Sequence, residues 1–158
     1  MGWEQEMHYT SSHLTKPDVA LGEQQISAGY SVTTNFSLFV RAYSKLLRFD
    51  RYLVRRDFAG LYRAVRTAPC TQKSADANAM DRICHTVDLA CIWYWKEVLC
   101  LQRSAATTCL LRNFGIPARM ILGVQQTPFR AHAWVEADGQ VINDRQYMRD
   151  LYKVIDIC

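Results

Sequence analysis

An α+β fold is what this chain predicts, with helices first and a small antiparallel sheet after them. Two observations carry that expectation. Apolar residues recur at helical spacing from about residue 35 onward, and the helical part stops at Gly115-Ile116-Pro117. That glycine suits a helix C′ position, and the proline cannot continue the helix. Three short apolar segments follow, near 117–124, 130–137 and 140–144, the last two separated by the turn signal Asp138-Gly139.

The elements can be justified in order. Residues 1–34 are polar, hold Pro17, Gly22 and Gly29, and show no sustained period, so a loosely ordered arm is expected there. The folded domain is expected over 35–158. Asn35 suits the cap of a first helix with Phe39, Ala42, Tyr43, Leu46 and Leu47 on its apolar face. Asp50 suits the cap of a second, bearing Leu53, Val54, Phe58, Leu61, Tyr62 and Val65 and ended by Pro69. Ser74 suits the cap of a third, with Met80, Ile83, Cys84, Val87, Cys91 and Tyr94 in one stripe, closed by Trp93-Tyr94-Trp95. A fourth helix starts near Cys100.

A chain of 158 residues is one ordinary domain, and 49% hydrophobic with 22% charged residues is a globular composition. No apolar run approaches the roughly 18–20 residues of a membrane span. The N-terminus lacks the apolar stretch of a secretory signal. A cytoplasmic protein without a membrane partner is expected. The six cysteines (70, 84, 91, 100, 109, 158) contain no C-x-x-C pair, so reduced thiols are expected, with no metal and no cofactor. The net charge of +4 is mild and does not suggest nucleic acid. It is concentrated, however: Arg41, Lys45, Arg48, Arg51, Arg55, Arg56, Arg63 and Arg66 face only Asp50 and Asp57. This stretch is either a solvated face or a docking surface.

The chemistry lies between Cys100 and Asp144. Counting back from Gly115 puts Cys100 in the first turn of its helix, where unpaired N–H groups and the macrodipole favour a thiolate. Cys109 lies mid-helix and reads as packing. His132 falls in the strand RAHAWVEA and Asp144 ends QVIND. A two-residue turn on Asp138-Gly139 would pair Ala133 with Asp144 and leave His132 and Asp144 on opposite faces. A three-residue loop would set His132 directly across from Asp144. The three-residue loop is the expectation here, with Asn143 on the other face and the Cys100 helix packed on the His132 face. Cys100 would then be the nucleophile, His132 the general base and acid, and Asp144 the orienting carboxylate. The backbone N–H of Cys100 is a generic oxyanion donor. Trp93, Tyr94, Trp95 and the 125–130 loop are either groove lining or aromatic core.

The runs Arg103-Ser104, LLRNFGIPA (110–118), LGV (122–124), PF (128–129), HAWVE (132–136), GQVIND (139–144) and MRD (148–150) together resemble the B proteins of lasso-peptide biosynthesis, the microcin-type members above all. These are leader peptidases of the transglutaminase-like cysteine-peptidase superfamily. The resemblance implies a transglutaminase- or papain-like core with the nucleophile at a helix N-terminus, and its motif positions fall on Cys100, His132 and Asp144. It also implies removal of the leader from a ribosomal precursor peptide, with a threonine-accepting subsite, before an asparagine-synthetase-like cyclase closes the ring. Microcin-type members carry a winged-helix leader-recognition domain that 1–34 is too short to hold. The recognition part is therefore expected on a separate protein, or the sequence is a fragment. Two rivals remain at this point: acyl transfer to an amine at the same nucleophile, and a non-catalytic scaffold for precursor and cyclase.

Overall fold

The computed structural model describes residues 36–72 and 78–158, all within one unit, Val32–Cys158. The arm expected at 1–34 and the caps expected at Asn35 and Ser74 lie outside the described residues. In order, the elements are α1 (Phe36–Val54), α2 (Phe58–Arg66), α3 (Ala79–Ile92), α4 (Cys100–Asn113), β1 (Ala118–Gln125), β2 (Arg130–Ala137), β3 (Gln140–Val141), α5 (Met148–Leu151) and β4 (Lys153–Ile157). The class is α+β, as expected.

Asp50 is not a helix cap. It lies inside α1, buried, and its carboxylate pairs with Lys96 at 2.6 Å. The chain breaks later, at Arg55-Arg56-Asp57, where Arg56 takes φ +55° and Asp57 accepts from the Gly60 N–H at 2.8 Å to cap α2. The shift alters which residues pack: Leu38 and Phe49 join Ala42 and Leu46 in the core, while Leu47, Val54 and Phe58 are exposed.

The α4 helix is buried nearly all round, with Ala105, Ala106, Cys109, Leu110 and Leu111 in the core. Its small residues let α1, α3 and the sheet approach closely, which is why it lacks a polar stripe. It ends as expected at Gly115. The Ile116 N–H bonds the Leu111 carbonyl and the Gly115 N–H the Arg112 carbonyl, a Schellman closure that buries Ile116 beside Leu111.

The four-stranded sheet has the order β3-β2-β1-β4, antiparallel throughout. The strand β4 was not foreseen. One face carries Met120, Val135 and Ala137 into the helical core; the other carries Ile121 and Trp134, covered by Met148, Tyr152 and Val154. His132 alternates with Trp134 on the second face. The Cys100 helix therefore packs on the face opposite the one expected.

The hairpin register also differs from expectation. Ala137 pairs with Gln140 and Glu136 with Val141, a two-residue turn in which Asp138 (φ 51°) and Gly139 (φ 78°) both take positive φ. Aspartate tolerates that region and glycine enters it freely, and such a turn matches the strand twist.

Candidate active site

Continued as a regular ladder, this register would set Asp144 opposite Ala133 and turn it away from His132. The ladder does not continue. The strand β3 ends at Val141, and the chain bends through 142–144. The Ile142 N–H still reaches the Val135 carbonyl at 3.0 Å, but the Val135 N–H is taken by Asn143 Oδ1 at 2.7 Å. Asn143 is buried on the side of α4, away from the His132 face, its amide held by the Val135 backbone and Ser104. After the bend, Asp144 Oδ2 lies 2.7 Å from His132 Nε2. Its other oxygen accepts from the Arg145 N–H at 2.8 Å. His132 and Asp144 therefore meet as the sequence suggested, by a bend and not by ladder register.

Because β3 is so short, the edge of β2 near His132 has no strand beside it. The first turn of α4 fills that place. Cys100 is the first helical residue and half-buried, preceded by Leu99, whose side chain cannot cap the helix. The His132 ring, the Ala133 N–H and the Leu101 N–H all act on the Cys100 thiol in the direction of thiolate. With Nε2 on Asp144, Nδ1 is the ring nitrogen left for sulfur. The His132 hydrogen bond leads in holding the Cys100 thiol below its ordinary pKa, against the opposing effect of burial. In the same exchange the imidazole is pushed up to about 9, first by its bond to Cys100 and then by Asp144. The arrangement favours a thiolate–imidazolium pair. Cys84, Cys91 and Cys109 go the other way, raised chiefly by burial.

The surroundings hold the imidazole. Its ring lies 5.4 Å from Tyr152 and 6.3 Å from Trp134, centroid to centroid. Gly123 sits across the strand pair from His132, and any Cβ there would come within 2.8 Å of Trp134 and Tyr152. Trp134 Nε1 in turn donates to Glu136 at 2.9 Å, and Arg149 grips both Glu136 oxygens. That grip holds the Glu136 carboxyl below the usual range. It joins the HAWVE and MRD runs into one cluster. Sequence reasoning missed Tyr152 and Gly123; the LGV run contained the latter without a stated purpose.

Other residues fall as follows. Tyr94 is buried against Tyr43 at 5.2 Å, whereas Trp93, Trp95 and Phe129 are exposed. Beside the start of α4 a groove of about 380 Å³ is lined by Asp50, Leu53, Val54, Lys96, Glu97, Leu99 and Gln102. All six cysteines are free. Among the described residues no helix is long and apolar enough to cross a membrane.

Comparison with known proteins adds two findings. A stretch of the chain is 46% identical over 56 residues to the microcin J25-processing protein McjB of Escherichia coli, in agreement with the resemblance read from the sequence. That stretch covers 35% of this chain and spans 27% of the relative's length. No solved structure matches. The family model described as the transglutaminase-like superfamily matches residues 44–156, from α1 through β4 and including every residue of the site just described. This chain belongs to the transglutaminase-like superfamily.

Proposed function

We propose that this domain is a cysteine peptidase that removes the leader from a ribosomally made lasso-peptide precursor. The observation that carries the reading is the convergence of Cys100, His132 and Asp144, with the sulfur held toward thiolate and the ring toward imidazolium. The thiolate attacks the scissile carbonyl carbon. His132 then gives its proton to the departing amine of the core peptide, leaving a thioester between Cys100 and the leader. Neutral His132 next draws a proton from water, whose oxygen displaces the sulfur and releases the leader as a free acid. Asp144 keeps the ring oriented and balances its charge throughout. The backbone N–H of Cys100 is the oxyanion donor in this scheme.

The leader as substrate is supported by the likeness to a microcin-processing protein. In this reading the freed core amine is the substrate of an asparagine-synthetase-like cyclase, and a threonine-accepting subsite lies in the groove beside Leu99 and Gln102. A leader-recognition domain or protein docks on the basic surface at the end of α1, where Arg48, Arg51 and Arg55 with Tyr52 and Asp57 line a second groove of about 290 Å³.

The test is one incubation of the protein with its precursor and recognition partner, with and without a small primary amine. Hydrolysis yields a leader ending in a free carboxylate and a core with a free N-terminus. A leader carrying the added amine in amide linkage would instead indicate transfer, the reaction that superfamily membership also allows. Cys100→Ala is expected to abolish cleavage while precursor binding persists. Cleavage at the normal rate by that variant would end the peptidase reading, and binding without cleavage by the wild type would favour a scaffold.

A further inference from the structure

We propose that Asn143 and Ser104 are a positioning pair that selects the bent path of residues 142–144 and thereby seats Asp144 on His132. The proposal deepens the peptidase reading and rests on it. A single buried chain of hydrogen bonds carries the argument. The Val135 N–H donates to Asn143 Oδ1 at 2.7 Å, Asn143 Nδ2 donates to Ser104 Oγ at 3.2 Å, and Ser104 Oγ donates to the Ala133 carbonyl at 2.9 Å. Asn143 is 8% exposed, Ser104 1%, Ala133 2% and Val135 0%. Each partner neighbours one member of the site. Ser104 lies one helical turn after Cys100 on the same face of α4, Ala133 follows His132, and Asn143 precedes Asp144.

The pair does more than satisfy buried atoms, because the alternative arrangement satisfies them too. An antiparallel pair of Val135 with Ile142 exchanges two bonds. One is made, from the Ile142 N–H to the Val135 carbonyl at 3.0 Å. The second would run from the Val135 N–H to the Ile142 carbonyl, and Asn143 Oδ1 stands in its place. Remove that amide and the buried N–H recovers a partner in the Ile142 carbonyl, which draws residues 143–144 toward the straight strand path and turns Asp144 from the imidazole. Ser104 fixes the amide's orientation from the nucleophile helix. It also holds the Ala133 carbonyl while the N–H of the same residue faces the sulfur. Helix, strand and bend are thus locked by one relay.

The test reads Cys100 itself and needs no substrate. Alkylation of Cys100 by iodoacetamide is followed by peptide mass spectrometry across a pH series in the wild type, Asn143→Ala, Ser104→Ala, Asp144→Ala and the Asn143→Ala/Asp144→Ala double variant. Asn143→Ala is expected to slow alkylation below neutrality by about tenfold, as one unit of upward shift in the thiol requires. Asp144→Ala should do the same, and the double variant should be no slower than Asp144→Ala alone, because Asn143 acts through Asp144. Ser104→Ala should shift in the same direction by less. A wild-type profile in folded Asn143→Ala overturns the proposal, as does a further tenfold loss in the double variant. Near-UV circular dichroism of the Trp134 and Tyr152 environment reports folding; should both Asn143→Ala and Ser104→Ala lose it, the pair is structural and the proposal falls. If the shifts appear as expected but the wild type cuts no precursor, the pair stands and the peptidase reading fails.

Discussion

On the His132 ring two neighbours act from opposite sides, and both favour its charged form. The sulfur does so through a hydrogen bond and its negative charge, and Asp144 through the 2.7 Å contact at Nε2. The pH dependence follows from these signs. The reactive ion pair grows as the thiol ionises, below its ordinary value, and is lost as the imidazolium deprotonates at about 9. Activity should therefore be broad around neutrality with an alkaline limb near 9, the two limits belonging to the pair jointly. Asp144→Asn keeps the size of the side chain but removes its charge. It should draw the alkaline limb down toward the ordinary histidine value and lower kcat by about 10²-fold or more. A pH–rate profile of the two proteins checks both statements, and an unmoved alkaline limb would show that Asp144 does not sustain the imidazolium. The residue types and their order were legible in the sequence because a thiol at a helix start, an imidazole and a carboxylate make sense only together. The face of Asn143 was legible but its task was not: it interrupts a ladder, and no sequence pattern marks a side chain that replaces a backbone carbonyl.

Among the elements, long periodic ones were read well and their boundaries less so. An aspartate inside a helix and an aspartate at its cap look alike in sequence. Only packing reveals that Asp50 is buried on Lys96 and that Asp57 makes the cap. The strand β4 escaped notice for a different reason. Its isoleucines, 155 and 157, point outward while Asp156 takes the more covered side, bound to Arg66 at 2.6 Å. Apolar alternation there advertises the wrong face. The strand pair β1–β2 shows how close packing fixes the imidazole. Gly123 faces His132 across the ladder, and its lack of a side chain lets Trp134 and Tyr152 close over the same spot. Gly123→Ala would force a ring and a backbone-linked Cβ apart at a place where neither is a flexible tip. Overpacking of that kind costs about 1–3 kcal/mol. We expect a fall in Tm and a larger proportional loss in kcat than in KM, since the displaced rings are those beside His132. Wild-type stability and turnover in Gly123→Ala would show that the ring packing does not govern the site.

Across the whole molecule, the site lies where three separately built parts meet. A helical core occupies one face of the sheet, the 142–152 segment covers the other, and the edge of β2 where the start of α4 lies joins them. Such a seam keeps its geometry only if the parts cannot slide, and Arg112 does much to prevent it. From the end of α4 its guanidinium reaches the carbonyls of Val65 at 2.6 Å, Ala118 at 2.8 Å and Cys158 at 3.1 Å. One planar fork thereby ties the end of α2, the start of β1 and the residue after β4 to the central helix. Lysine supplies a single charged centre and cannot span three acceptors in different directions. Arg112→Lys would leave at least one of those partly buried carbonyls without its partner. Hydrogen bonds to charged groups contribute roughly 1.5–3 kcal/mol each, with the remaining bonds partly compensating. The expected result is a loss of about 2 kcal/mol in urea unfolding, seen as a lower midpoint with an unchanged slope, because the surface exposed on unfolding stays the same. Cys100 should still alkylate as a thiolate below neutrality in the folded variant, since Arg112 touches none of the three candidate residues. An unshifted midpoint would mean that the three carbonyls find equal partners without the guanidinium, and that the seam is held by apolar packing alone.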